Sequence, residues 1–246
     1  MAILLRNATL IDIDPPCVRQ GNVRVVGERI ESATAARDAA AGAIALGDEI
    51  VDCSGMLIVP GLVVGHTHLY SALATGMPPP SRPPQDFVGI LEEVWWKLDR
   101  ALDDEAAYYS ALVGSVRAAL CGSSTLVDHH ASPNAIAGSL DIVRDAVAKV
   151  GLRGVLCYEV TDRNGPQGAR AGIAENDRFL SACRRDGRFA GMVGAHASFT
   201  LGVDSLGALA ELADQHDVGV HIHCAEDQAD VDDCRERNGK GLVDHL

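Results

Sequence analysis

The sequence contains no Cys-x-x-Cys pair, no Gly-x-Gly-x-x-Gly and no apolar run of membrane-spanning length. A transmembrane helix needs about 20 consecutive apolar residues, so a membrane is not an expected partner. The apolar start Ala2-Ile3-Leu4-Leu5 is cut off by Arg6, too short for a secretory leader. Without Cys-x-x-Cys, the seven scattered cysteines read as reduced, mostly buried thiols of a cytoplasmic protein. The missing glycine fingerprint weakens a dinucleotide-binding reading. Positive charge is scarce too, with 21 Lys and Arg against 34 Asp and Glu and a net charge of −13. A nucleic acid is therefore not expected as a partner, and a small molecule is.

What is present is an ordinary globular composition, 47% hydrophobic and 22% charged over 246 residues, enough for one sizeable core and a small appendage. Residues 1–59 read as short strands at turn spacing, interrupted by an Ala- and Gly-rich connection from Ala35 to Gly47. They predict part of a small β-sandwich. From residue 60 the pattern becomes strand, helix, strand, helix. Strands are expected at Leu62, Ser124 to Val127, Leu152 to Val160, Phe189 to His196 and Val218 to His223. Helices are expected at Phe87 to Leu102, up to Cys121, Ser139 to Val150, Gly172 to Arg185, after an Asp204 cap, and Ala229 to Asn238. Such alternation implies a parallel sheet. Histidines recur at the C-terminal ends of the strands, which is where β/α barrels build their sites. The predicted fold class is α/β: about five βα units of a (β/α)8 TIM-type barrel in residues 60–246, preceded by the sandwich segment in 1–59.

The chain is organised around Leu57 to His68, which ends in His66-Thr67-His68. Side chains two apart on a strand share a face, so His66 and His68 converge while Thr67 turns away. Two such imidazoles make half of a zinc or iron site. Alone, His-x-His weighs evenly against a strand that happens to finish in two polar residues. A second pair, His221 and His223, with Glu226 just beyond, tips the balance. Three imidazoles and a carboxylate suit metal-assisted hydrolysis, in which the metal acidifies a water and the carboxylate carries its proton. Cys224 would face the other way and pack.

Val51-Asp52-Cys53-Ser54-Gly55, Val59-Pro60-Gly61, His66-Thr67-His68, Gly194-Ala195-His196-Ala197 and His223-Cys224-Ala225-Glu226 resemble the amidohydrolase superfamily in its cytosine-deaminase-like branch. The stretches Leu69 to Leu73, Val94 to Asp103 and Asp128 to Pro133 are similar to the SsnA-type aminohydrolases, also labelled chlorohydrolase-like. The resemblance implies that His66, His68 and His223 are metal ligands, that Glu226 is the proton shuttle, and that His196 contacts the substrate or the tetrahedral intermediate. For His129 and His130 a substrate-binding role and a structural one stay equally open, and His221 matches no ligand position. Binuclear relatives bridge their metals with a lysine on the fourth strand. Here the three lysines are Lys97, Lys149 and Lys240, none of them on it, so one divalent ion is expected, zinc first and iron second.

The implied reaction is hydrolysis of a C–N bond other than a peptide bond, the deamination of an amino-substituted N-heterocycle by a metal-activated hydroxide. The alternatives are a chlorohydrolase or cyclic-amide hydrolase with the same site, and an inactive fragment or metal-binding scaffold. Gly65 stands where the family has Ala. The family's histidine after strand six and aspartate after strand eight have no counterpart before Leu246, so the chain reads as C-terminally truncated. An open sheet with the strands at Leu62 and Val218 unpaired is then expected, its bare edges inviting association into a homo-oligomer.

Overall fold

The computed structural model describes residues 2–35, 47–183 and 187–246. Most of the predicted connection from Ala35 to Gly47, and the predicted helix end at Arg185, lie outside the described residues. The chain divides into two compact units, Met1–Gly61 and Leu62–Leu246. No described helix is long and apolar enough to cross a membrane.

The first unit is a single sheet built from β1 (Ala2–Ile13), β2 (Pro16–Val26), β3 (Arg29–Ala35), β4 (Glu49–Asp52) and β5 (Leu57–Ile58). Its order is β3-β2-β1-β4, with β5 pairing further along β1. Among the described residues this unit is one sheet layer, the part of a sandwich that residues 1–59 were expected to supply. The register of β1 on β2 slips between Leu5 and Ala8, and Asn7 sits there at φ 62°. That extra residue puts Leu5, Ala8 and Leu10 on one face, where Ala8 and Leu10 join Val23 and Cys53 in a small core.

The second unit carries β6 (Leu62–Thr67), β7 (Ser123–His130), β8 (Arg153–Tyr158), β9 (Phe189–Gly191), β10 (Val193–Ala197) and β11 (Val220–His223). All of its ladders are parallel, in the orders β6-β7-β8-β9 and β10-β11. The predicted single strand from Phe189 to His196 is broken at Met192, so its first part pairs with β8 and its second with β11. The two sheets are joined at Val160, whose N–H donates to Gly194 O at 3.2 Å and whose carbonyl accepts from His196 N at 2.9 Å. A Cβ at Gly194 would lie 2.2 Å from Tyr158 O, so only glycine lets β10 close on β8. β6 and β11, the outer parallel strands, share no ladder among the described residues. This is a partial α/β barrel.

Helices fill the crossovers. α1 (Phe87–Ile90), a π-turn at Leu91–Trp95 and α2 (Trp96–Ala101) form one continuous run after β6. α3 (Asp104–Leu120) starts on Asp103, whose side chain accepts from Ala106 N at 2.8 Å. α4 (Ser139–Val150) stops at Gly151, left-handed at φ 94°. α5 (Gly165–Cys183) begins a full two turns before the predicted Gly172, because Pro166 follows Gly165 and proline is favoured in a first turn. α6 (Val203–His216) is capped across the fold rather than by Asp204: Asp162 accepts from Gly202 N at 2.6 Å and from Ser205 Oγ at 2.7 Å. α7 (Gln228–Asn238) and α8 (Leu242–His245) follow β11. One core runs from Leu140, Val143 and Val147 of α4 through Leu126, Leu156 and Val193 of the sheet to Phe179 of α5 and Leu209 of α6.

Candidate metal and acid–base centre

His66 closes β6, and His68 follows it where the chain turns into a short 3-10 helix, Leu69–Ala74. The end of β7 fixes that turn: Leu69 N donates to Asp128 Oδ1 at 2.7 Å, and His68 Nδ1 donates to His129 O at 2.7 Å. Ser110 of α3 ties it from the other side, donating to Leu69 O and Tyr70 O. At the other edge of the sheet, His223 Nδ1 donates to His196 O at 3.0 Å.

Both imidazoles therefore carry their hydrogen on Nδ1 and a lone pair on Nε2. The two Nε2 atoms face each other at 3.1 Å, and His66 Nε2 lies 3.3 Å from that of His223. Lone pairs in that position repel unless a cation sits among them. Bonds of 2.0–2.1 Å at tetrahedral angles would hold such nitrogens about 3.3 Å apart. His66, His68 and His223 thus fit a single divalent ion.

His221 completes a relay. His66 Nδ1 approaches His221 Nε2 at 2.8 Å, and His221 Nδ1 lies 3.8 Å from Cys157 Sγ. With His221 protonated on Nδ1, its Nε2 accepts from His66 and leaves the His66 Nε2 lone pair free. An outer partner that sets a ligand's tautomer in this way is a common companion of metal sites. Burial pushes the pKa of His68 down to about 3 and that of His223 down to about 4, helped by the neighbouring imidazoles, so both rings are neutral at ordinary pH.

A cavity of about 310 Å³ opens beside these residues. Tyr70, Phe87, Trp95 and Trp96 line it with rings, and His68, His196, His223, Glu159 and Glu226 with polar groups. Glu226 reaches it through a tight turn after β11. Ala225 stands at φ 55°, its N–H held by Asp230 Oδ2 at 3.0 Å, and left-handed backbone at a non-glycine residue costs about 1–2 kcal/mol. Burial and then the nearby Asp230 and Asp227 raise the Glu226 pKa, while His66 opposes them. His196 Nδ1 donates to Thr200 Oγ1 at 2.6 Å, since that hydroxyl gives its own hydrogen to Ala197 O. Its Nε2 is left as an acceptor, and burial followed by the charges of His223 and Arg163 pushes its pKa down to about 3.

His129 and His130, for which a substrate-binding and a structural role were equally open, are 0% exposed and do not line the cavity. They alternate on β7, and both point into packed protein. His129 stacks on His221 at 4.6 Å, and His130 Nε2 meets Ser132 Oγ at 2.9 Å. Cys224, expected to pack, is exposed, and His216 at the end of α6 is buried against Asp177.

Sequence reasoning passed over Glu159. It is 4% exposed and lies 3.5 Å from His129 Nδ1, 3.8 Å from His196 Nε2 and 3.9 Å from His68 Nδ1. Burial pushes its pKa up to about 8, against the pull of Arg163, and the charges of Asp99, Glu226 and Asp128 add to the rise. A single acidic residue at the end of an apolar strand carries no pattern. Its polarity at a strand's C-terminal end was the available signal.

The chain is 29% identical over 243 residues to the 5-methylthioadenosine/S-adenosylhomocysteine deaminase of Moorella thermoacetica, covering 96% of this chain and 52% of that protein. It spans about half the length of the curated relatives it matches. Among solved structures, the E. coli guanine deaminase superposes with a TM-score of 0.82 at 17% identity, over 99% of this chain and 58% of that one. The atrazine chlorohydrolase of Arthrobacter aurescens TC1 complexed with zinc superposes with a TM-score of 0.77 at 18% identity, over 99% and 57%. Those two likenesses concern the fold. The profile of the amidohydrolase family matches residues 57–246, from the strand before the His-x-His pair to the last helix, and on that match the chain belongs to the amidohydrolase family.

Proposed function

We propose that this chain carries the metal and acid–base half of a hydrolase that cleaves C–N bonds other than peptide bonds, by deaminating a small amino-substituted N-heterocycle in the cytoplasm. The observation that carries the reading is the convergence of the His66, His68 and His223 Nε2 lone pairs within 3.1–3.3 Å along two contacts. Zinc is the ion proposed, because three imidazoles in tetrahedral spacing suit it and the structurally similar chlorohydrolase was solved with zinc. The seven cysteines, scattered without a Cys-x-x-Cys pair, support the cytoplasmic assignment.

A divalent ion held by these imidazoles would lower the pKa of water towards neutrality. The remaining work falls to the protein's own groups. Trp95, Trp96 and Phe87 offer flat apolar walls to a planar ring and keep bulk water from it. Glu226, its pKa raised toward the working range, takes a proton at its carboxylate and returns it to a ring nitrogen and then to the departing amine. His196 Nε2, a fixed acceptor, orients the hydrogen of the added oxygen.

The test is an ammonia-release assay of the zinc-loaded protein on purine, pyrimidine and pterin amines, with chloride release from chlorotriazines in parallel. Ammonia from at least one ring supports deamination. Chloride without ammonia replaces it with the chlorohydrolase reading. Neither product from a chain that holds one zinc ion per molecule would leave a metal-binding scaffold.

A further inference from the structure

Glu159 has no assigned task in that scheme, yet its surroundings are specific. It follows β8, whose last residue is clamped by Asn176 of α5: Tyr158 N donates to Asn176 Oδ1 at 2.9 Å, and Asn176 Nδ2 donates to Tyr158 O at 2.9 Å. Its own N–H donates to His130 O at 2.8 Å, and the next residue, Val160, is the joint to β10. The backbone under this carboxyl group is thus fixed on both sides, and the side chain lines the cavity.

No described protein group gives the carboxyl group a hydrogen bond. The three imidazoles lie at 3.5–3.9 Å, outside bonding geometry. Arg163, four residues on, is paired with Asp99 and stacked 5.0 Å from the Trp96 ring centre, where it steadies the aromatic wall instead. The carboxyl group lines the cavity, so its donor is whatever fills that space: water in the free protein, and a group of the ligand when one is bound.

We infer that Glu159 determines substrate choice by accepting the ring N–H that flanks the reacting carbon. The inference rests on the deaminase reading above. It specifies heterocycles in which the amino-bearing carbon lies between a ring nitrogen and a ring N–H, as in 2-amino-4-oxo pyrimidines and pterins and 2-amino-6-oxo purines. Two carboxyl groups of the cavity then divide the two nitrogens. Water adds to the carbon as one of its protons passes through Glu226 to the unprotonated nitrogen; its second proton then leaves the added oxygen for the amine, the C–N bond breaks, and ammonia departs from the new ring carbonyl. Glu159 exchanges no proton and holds the N–H on the other side. In a 6-aminopurine the reacting carbon has a ring nitrogen on one side and a carbon on the other, so Glu159 would face no donor. A site built around a substrate N–H discriminates strongly against rings that lack it.

The only two tryptophans of the chain, Trp95 and Trp96, both line the cavity, so their fluorescence reports binding without turnover. The probes are pyrimidin-4-one, which has the N–H and no amino group, and its N3-methyl derivative, each titrated into the zinc-loaded protein. The wild type should bind pyrimidin-4-one at least tenfold more tightly. Glu159→Gln should weaken that probe by up to roughly tenfold, the usual value of a hydrogen bond between neutral groups, and shift the methylated one less than about twofold. Bound zinc should not change. Equal binding of both probes by the wild type overturns the inference, as does equal weakening of both or loss of zinc from the variant. If Glu159→Gln does not fold, Glu159→Asp and the wild-type discrimination decide. Intact discrimination with no ring deaminated would sink the deaminase reading and leave Glu159 as the N–H acceptor. Fast turnover of adenosine with none of isocytosine would do the reverse.

Discussion

The middle of the parallel sheet and its two outer strands are built on opposite terms. Every residue of β10 is buried, and β7 and β8 end in buried residues, whereas no residue of β6 or β11 is buried. The polar groups divide in the same way. From the middle come Asp128, His129, His130, Glu159 and His196, each at most 6% exposed. From the outer strands come His66, His68, His221 and His223. The inner groups fix tautomers and backbone turns through the carbonyls of His129 and His196 and the carboxylate of Asp128. The outer groups are left facing one another through lone pairs. A barrel sheet can thus keep its rigid positioning in the centre and gather converging imidazoles from two outer strands that share no ladder with each other among the described residues.

The severest test of that division is Glu226, which lies beyond the outer strand and holds no metal in this scheme. Glu226→Gln should lower turnover by roughly 10²- to 10⁴-fold with bound zinc unchanged. Full activity in the variant would move the proton-carrying role elsewhere. A second test asks whether the ion links the outer strands. His66→Ala should lose most of the bound zinc, and wild-type protein should gain about 2.7 kcal/mol of unfolding free energy at zinc a hundredfold above its Kd, while the variant gains little. Equal zinc content in both would end the three-histidine assignment.

The centre is probed by pH. His130 is fully buried and its pKa is pushed down to about 4, with Nδ1 unpartnered among the described residues. In the unfolded chain it titrates near 6.5, so between these values the unfolded state binds the extra proton and stability falls as pH drops. Asp128 at about 7 and Glu159 at about 8 slope the other way, because their folded forms bind protons more tightly. The wild type compared with His130→Gln isolates the histidine. That difference should change by on the order of 1.5 kcal/mol between pH 6.5 and 5, read from urea midpoints. A flat difference would mean that His130 reaches water.

The strand-helix alternation was legible because glycines such as Gly122 and Gly151 stop helices where the apolar period ends, and the meeting of His66, His68 and His223 because strand alternation turns His66 and His68, and His221 and His223, to one side. Other features depend on tertiary contacts that leave no local period. The break at Met192 arises because one chain must pair first with β8 and then with β11. Capping of α6 by Asp162 comes from a residue some forty positions away. The burial of His129 and His130 follows from strands packing on both sides of β7, and Glu159 draws its meaning from three imidazoles contributed by other strands. Asp204 has the right residue type for a cap and the wrong position, one residue inside the helix.

The relay from His66 to His221 joins residues 155 positions apart, and the contact of His66 with His223 joins residues 157 apart. In folding terms, nearly the whole parallel sheet must be in order before the third imidazole meets the other two, and closing so long a loop is slow and entropically costly. The ion cannot then nucleate this fold as it does a zinc finger, whose ligands are close in sequence. It would enter a site that already exists, acting late, as a clasp on finished structure.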